Sequence, residues 1–317
     1  MRFSIIVPTF NAAATLDRCI RSILDQSLDE FELLVVDDAS QDGTVGQARS
    51  FGDERIRVFE NASNQGPAAA RNLGLDQANG DFVIFVDADD WIEPDYLEVV
   101  QDAANADPSL DFLALRYRLW TDAGSTVDRQ QLDENWPMRS FLLDEIVSSV
   151  WAKAYRMRSI NQAGARFPAL RLMEDSVFNI AVLRHCDKAK LVDRVVYNFD
   201  KRSASATSGP LNRDGVAAIE RALEAGAAAL GNERDDLERY LRVRRFRALA
   251  MHGLRQVLGS RAKGQLDRGF ARWLARYLRT QFPFRWVAFE PLIKPKEKAA
   301  FLLFSGWAAL WPGSAKG

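Results

Sequence analysis

Three carboxylates within four residues, Asp87, Asp89 and Asp90, close the apolar run Phe82-Val83-Ile84-Phe85-Val86. Like charges held this close raise each other's pKa, and a hard divalent cation with oxygen ligands, Mg2+ or Mn2+, relieves the repulsion. Such an ion keeps coordination sites for a substrate phosphate, so the cluster suggests nucleotide or diphosphate chemistry. The competing reading is a solvated acidic turn that caps the next helix, a common use of aspartate.

Two upstream segments repeat the arrangement. Residues 3–7 form an apolar run ended by Pro8-Thr9-Phe10-Asn11, a turn that is not expected to continue a central strand. A helix follows, with Leu16, Ile20, Ile23 and Leu24 at helical spacing and Asp17, Arg18 and Arg21 between them. Phe31 to Val36 form the next strand, closed by Asp37-Asp38-Ala39-Ser40-Gln41-Asp42-Gly43-Thr44, where Asp37 and Ser40 suit local turn roles. In an open parallel sheet, ligands bind outside the carboxyl ends of strands, so loops 8–11, 37–44 and 87–90 should converge on one crevice. A third strand is expected over Ile56–Glu60. Beyond it, Asn64 to Asn72 reads as a glycine-proline turn opening a small-residue helix, which offers Arg71 to carboxylates or phosphate.

With these elements in order, the chain resembles family 2 glycosyltransferases, the inverting nucleotide-sugar enzymes of GT-A fold. The resemblance is carried by SIIVPTFN at 4–11, ELLVVDDASQDGT at 32–44, NQGPAAARN at 64–72 and FVDADDW at 85–91, and more sparsely by 151–156, 166–168 and 174–178. It implies an α/β fold with a mixed, mainly parallel sheet flanked by helices, of the kind found in enzymes that build bacterial surface polysaccharides. Displacing a nucleoside diphosphate from an anomeric carbon requires stabilisation of the leaving group and a base for the acceptor hydroxyl. By resemblance, Asp89 binds the metal, Asp87 contacts ribose or shares the metal, and Asp90 buttresses the turn. Pro8, Thr9 and Asn11 line the nucleotide pocket, and Asp38 receives the N–H of a base, uracil in this family. Asp175, preceded by Glu174 at the start of a helix with Val177, Phe178, Ala181 and Val182, takes the place of the family's catalytic carboxylate. The bland alternative is that both acids only complement the helix N-terminus, about 0.3–1 kcal/mol each. Trp151 either bounds the acceptor site or packs as core, and Lys153 pairs with a carboxylate or a diphosphate.

Some family features are absent. Gln281 to Trp286 has one residue too many for the Gln-x-x-Arg-Trp word of processive synthases. Tyr197, Arg202, Ser203 and Ser205 stand where related enzymes carry a donor-covering loop, although its usual glycine is missing. Arg202 is therefore a candidate for diphosphate contact or a solvated surface arginine.

Length suits one main domain with an appendage: 1–210 catalytic, divided into a nucleotide-sugar half (1–118) and an acceptor-side half (119–210), then a basic helical region over 211–317. The two cysteines, Cys19 in the first helix and Cys186 in the helix after the Glu-Asp pair, give no disulfide framework. With no secretory signal in view, a cytoplasmic site is expected. Net charge is −1, but residues 1–118 carry 22 acidic against 9 basic side chains, and 239–285 carry 13 basic against one acidic, Asp267. One helical stripe holds Tyr240, Val243, Ala250, Leu254 and Val257, and another holds Phe270, Trp273, Leu274, Tyr277 and Leu278. The apolar segment 299–311 is too short to span a bilayer. Two readings follow. Either these helices attach peripherally to the inner face of an anionic membrane, which suits a polyprenyl-diphosphate-linked acceptor, or their aromatics form a core or dimer contact. Nothing resembles a base-reading module, so nucleic acid is not an expected partner. The favoured function is transfer of a single sugar from a nucleotide donor, a UDP-sugar, to a glycan or lipid-linked acceptor. The alternatives are a catalytically silent nucleotide-sugar binder and a sugar nucleotidyltransferase, though the latter's basic glycine-rich loop is missing from 8–15.

Overall fold

Continuous apolar runs make strands that are buried on both faces, as a parallel sheet covered by helices requires. The computed structural model describes residues 1–201, 211–251, 253–254, 257 and 267–309. Its packing divides the chain into two compact units, Met1–Ser205 and Ala206–Gly317.

In the first unit, β1 (Phe3–Thr9), β2 (Phe31–Asp37), β3 (Ile56–Glu60) and β4 (Phe82–Phe85) form a parallel block in the order β3-β2-β1-β4. Helices α1 (Leu16–Leu24), α2 (Thr44–Ser50) and α3 (Pro67–Gln77) connect them. α1 buries Leu16, Cys19, Ile20 and Ile23, which lie three to four residues apart on one face. α3 lies so close on β1 that a Cβ at Gly74 would stand 2.5 Å from Ile6 Cγ2. The sheet continues antiparallel from β4 to β8 (Lys153–Arg156) and then β6 (Phe112–Thr121); β9 (Ala189–Asp200) pairs parallel with β6 and antiparallel with the short β5 (Trp91–Ile92). β7 (Gly124–Val127) hairpins onto β6. The mixed sheet and flanking helices expected of the GT-A fold are present.

One expectation fails. Pro8 does not end the first strand; β1 runs through it to Thr9, with Pro8 opposite Val36. Neighbouring bonds supply the reason. The Thr9 carbonyl accepts from Asp38 N on the β2 side, and the Ile6 carbonyl accepts from Val86 N on the β4 side. Alternate residues of a parallel strand face alternate neighbours, so Pro8 faces β4, and that ladder stops at Phe85 opposite Ile6, where residue 8 would have donated next. The β2 pairing that carries β1 on to Thr9 needs no N–H from Pro8.

Helix α7 (Glu174–Leu183) starts where the Glu-Asp pair predicted; Cys186 lies beyond its end rather than within it. α4 (Tyr96–Ala106), α5 (Pro137–Leu142) and α6 (Met157–Ala163) complete the unit.

The second unit is helical, over Arg213–Ala229, Arg234–Phe246, a π-helical turn Arg247–Met251, Arg268–Gln281, Phe284–Phe289 and Pro295–Ala309. Asn212 and Asp267 cap two of these, accepting from Gly215 N and Phe270 N. Its core holds Val243, Phe246, Leu249, Leu274, Leu278, Phe282 and Phe301. Trp273 lies in a ring stack with Phe270 and Tyr277, beneath Arg213, and Trp286 stacks on Phe282 beneath Arg242. These tryptophans are engaged inside the unit. Among the described residues of this unit, the exposed large apolar side chains are Phe284, Phe289, Leu302 and Leu303. Among the described residues, no helix is long and apolar enough to cross a membrane.

Candidate active site

Of the strand-end loops, 8–11 and 37–44 meet each other, Asn11 N donating to Ser40 Oγ and Gln41 N to Asn11 Oδ1, while the 87–90 turn is joined to the start of α7 through one arginine. Arg71, on the second turn of α3, is 5% exposed. Its Nη2 donates to Asp87 Oδ1 at 3.0 Å, and its Nη1 donates to Asp175 Oδ1 at 2.8 Å and Glu174 Oε1 at 3.2 Å. Of the two partners expected for Arg71, it meets carboxylates. Burial alone would favour the neutral form, but the charges of Asp175, Asp87 and Glu174 outweigh it and hold the guanidinium above its usual pKa. The Nε of Arg71 is buried without a hydrogen-bond partner.

Asp175 sits in the first turn of α7 with its side chain 18% exposed. Its second oxygen accepts from Val150 N at 3.2 Å. Burial raises the carboxyl to a pKa of about 6 against the pull of Arg71, with Glu174 and Asp87 adding to the rise. A carboxylate of this kind accepts a proton more readily than an exposed aspartate and is still ionised near neutrality.

The 87–90 turn is held from behind. Asp90 is fully buried; its oxygens accept from the Tyr197 hydroxyl at 2.5 Å and Asp200 N at 2.8 Å. Burial and then the Asp87 charge push it well above the usual carboxylate range. Tyr197 also accepts from Asp87 N. This corrects the reading of Tyr197 as part of a donor-covering loop, since it is an interior residue of β9; Arg202 lies outside the described residues. Arg18 closes the other side, donating to the Asp89 carbonyl and Asp200 and lying over Trp91. Cys19 is packed against the same turn, where burial and the aspartates hold its thiol protonated.

On the β1–β2 side, the Thr9 hydroxyl donates to Asp37 Oδ1, which also accepts from Ser40 Oγ, and the Asn11 side chain accepts from Gln41 N. Asp38 accepts from Asn61 Nδ2, Gln65 N and Gly66 N at 2.6–3.1 Å. A nucleobase contact by Asp38 has to be shared with that loop. Trp151 lies in an aromatic stack, 5.2 Å from Tyr197 and 4.9 Å from Phe199. Lys153, expected to pair with a carboxylate or diphosphate, is instead fully buried and donates to the Ser149 carbonyl at 2.6 Å and the Trp151 carbonyl at 3.5 Å. Burial, opposed by the charges of Asp175 and Asp128, lowers it to about 7. Arg18, Tyr155 and Asn179 were not singled out from sequence as site residues; only Asn179 left a signal, one helical turn from Asp175.

Four non-glycine residues with left-handed backbone border these loops: Asn11 (φ 49°), Ala39 (φ 64°), Ala152 (φ 53°) and Met173 (φ 63°). Such conformations cost about 1–3 kcal/mol each and persist where surrounding contacts over-determine them.

Among the described residues, no three His, Cys, Asp or Glu side chains converge as a closed metal cage. The Asp87 and Asp89 carboxylates at this turn are hard oxygen donors of the type Mg2+ or Mn2+ takes, and Asp87 shares its charge with Arg71.

Comparison with known proteins agrees with this geometry. Residues 4–162, half of the chain, match the model of glycosyl transferase family 2. Over 208 residues the chain is 29% identical to the putative glycosyltransferase EpsH of Bacillus subtilis, a match covering 62% of this chain and 60% of EpsH. The structure of Staphylococcus aureus TarS 1–349 in complex with UDP-GlcNAc superposes with a TM-score of 0.70 at 22% identity, covering 97% of this chain and 90% of that one. The mannosyltransferase PcManGT of Pyrobaculum calidifontis, in complex with GDP-Man and Mn2+, gives a TM-score of 0.51 at 19% identity, covering 98% and 87%. The chain has the GT-A fold and belongs to glycosyl transferase family 2.

Proposed function

We propose that the chain is an inverting, metal-dependent glycosyltransferase that moves one sugar from a UDP-sugar to a hydroxyl of a glycan or lipid-linked acceptor in surface polysaccharide synthesis. The observation that carries this reading is Arg71, one buried guanidinium joining Asp87 on the donor side to the Glu174–Asp175 pair. Leaving-group site and base are thereby fixed to each other, which an in-line displacement demands. Asp175 takes the acceptor proton, the acceptor oxygen forms its bond to the anomeric carbon, and the bond to the diphosphate breaks with its electron pair leaving on the diphosphate. A divalent ion held by Asp89 and Asp87 would supply charge stabilisation to that leaving group. Pro8, Thr9, Asn11 and Asp38, at and just beyond the C-terminal ends of β1 and β2, would border the nucleotide.

The test is release of nucleoside diphosphate from a panel of nucleotide sugars with Mn2+, Mg2+ or EDTA, with wild type beside Asp89→Ala and Asp175→Asn. Metal-dependent turnover of one donor, reduced about 100-fold or more in both variants, is expected. Nucleotide binding without any turnover, even with membrane extract as acceptor source, would favour a silent binder.

Peripheral attachment to anionic membrane is part of the same proposal. Phe289 is 82% and Leu303 74% exposed, and Lys298 reaches the carbonyl of Ala288 beside Phe289, with Lys294 and Lys296 on the adjoining stretch. Exposed apolar side chains with lysines nearby in the chain suit a lipid interface. Flotation on anionic liposomes should fail for Phe289→Ser/Leu303→Ser; no flotation of the full chain would sink the idea.

A further inference from the structure

The turn from Ser148 to Ala152 carries the N–H of Val150, which holds Asp175 Oδ2, and the carbonyls of Ser148, Ser149, Trp151 and Ala152 all accept hydrogen bonds. Ser148 O accepts from Asn179 Nδ2 at 2.9 Å and Ser149 O from Lys153 Nζ at 2.6 Å, while Val150 O lies 3.4 Å from the Tyr155 hydroxyl, whose one proton goes to Asn179. Trp151 O accepts from Lys153 Nζ at 3.5 Å and Ala152 O from Leu115 N at 3.0 Å. The donors are themselves linked. Tyr155 donates to Asn179 Oδ1 at 2.8 Å, and Asn179 Nδ2 donates to the backbone carbonyl of Asp175 at 2.8 Å. Lys153, Tyr155 and Asn179 are all fully buried. The left-handed Ala152 at the end of the turn shows that these bonds impose a backbone which alanine does not choose.

Lysine is a costly choice for this place. Among the described residues Lys153 makes no ion pair; its buried amino group donates to carbonyls, with Asp175 and Asp128 acting on it only through their charge, and is less favourable there than an apolar side chain of its size. Stability therefore does not explain it, whereas fixing two carbonyls of one tight turn does.

We infer that Lys153, Tyr155 and Asn179 are positioning residues that lock the 148–152 turn, so that Val150 N–H and Arg71 together fix the Asp175 carboxylate toward the acceptor hydroxyl. The inference rests on the reading of Asp175 as base. None of the three touches the reacting atoms; each acts through the turn.

The experiment compares wild type, Lys153→Met, Tyr155→Phe and Asp175→Asn as full chains, using the nucleotide sugar that wild type turns over in the panel. It measures kcat, donor KM, melting temperature and amide hydrogen exchange over 148–152. Both lock variants should lose about 10- to 100-fold in kcat, as a carboxylate misplaced by around 1 Å would. Donor KM should stay within about twofold, exchange over 148–152 should quicken, and Lys153→Met should melt no lower than wild type. Unchanged exchange with kcat within about twofold of wild type would overturn the lock, and so would a kcat loss that merely tracks a fall in melting temperature in both variants. Undiminished turnover by Asp175→Asn would instead undo the base reading, while exchange would still report on the lock.

Discussion

The two units handle charge in opposite ways. In the first, carboxylates gather at strand ends until Asp87, Glu174 and Asp175 share a single buried arginine. In the second, arginines are dispersed along helices and several have a partner of their own: Arg239 with Glu290, Arg245 with Glu220, Arg247 with Glu297, Arg213 and Arg242 over tryptophan rings. Charge concentrated beyond what local partners can balance leaves a field to which a cationic or phosphate-bearing ligand can respond. Charge balanced pair by pair is spent on holding helices together. A raw count of acids and bases does not separate these cases; only the distances do.

That contrast can be broken at its strongest point. Arg71→Met removes the one cation from the carboxylate cluster, and we expect at least about a 100-fold loss of transfer rate together with about 3–5 kcal/mol of stability, since like charges are left buried and unpaired. Urea unfolding beside the diphosphate-release assay measures both; an active, fully stable Arg71→Met would remove the link between donor side and base. The pH dependence sharpens the same point. On the proposal that Asp175 is the base, it acts when ionised, so activity should rise with pH through about 6 and fall as the carboxyl protonates below that value. A milder cluster change, Glu174→Gln, removes a charge that raises Asp175, so the acid limb should move to lower pH, which a rate profile from pH 5 to 8 will show. The smallest effect belongs to the second unit. Arg239 is 55% exposed in its pair with Glu290, so Arg239→Ala should cost under about 1 kcal/mol and leave kcat unchanged.

Much of the first unit was legible because its strands are buried on both faces and stop at carboxylate-rich turns, which marks both the element and its functional end. The start of α7 at Glu174 was legible for a similar reason, an acidic first turn before an apolar period. Pro8 was misread because its missing donor faces β4 alone, and which neighbour each residue of β1 faces is not written near residue 8. Tyr197 was misread because its partner Asp90 lies 107 residues away. The direction of Lys153, inward to carbonyls rather than outward to phosphate, depends on how the 148–152 turn folds, which no periodicity encodes. In the second unit the helices were visible from spacing, but whether Trp273 and Trp286 face a core or an interface is a matter of packing.

The left-handed residues around the loops bear on how this chain can be engineered. A search for stabilising substitutions ranks positions by local discomfort, and Ala39, Ala152 and Met173 would head such a ranking, each an invitation to glycine. Two of them flank the segments that hold Asp175. Relaxing them would trade turnover for robustness, so screens on thermal tolerance alone would select sluggish variants, and the hardiest descendants of this chain would be its poorest transferases.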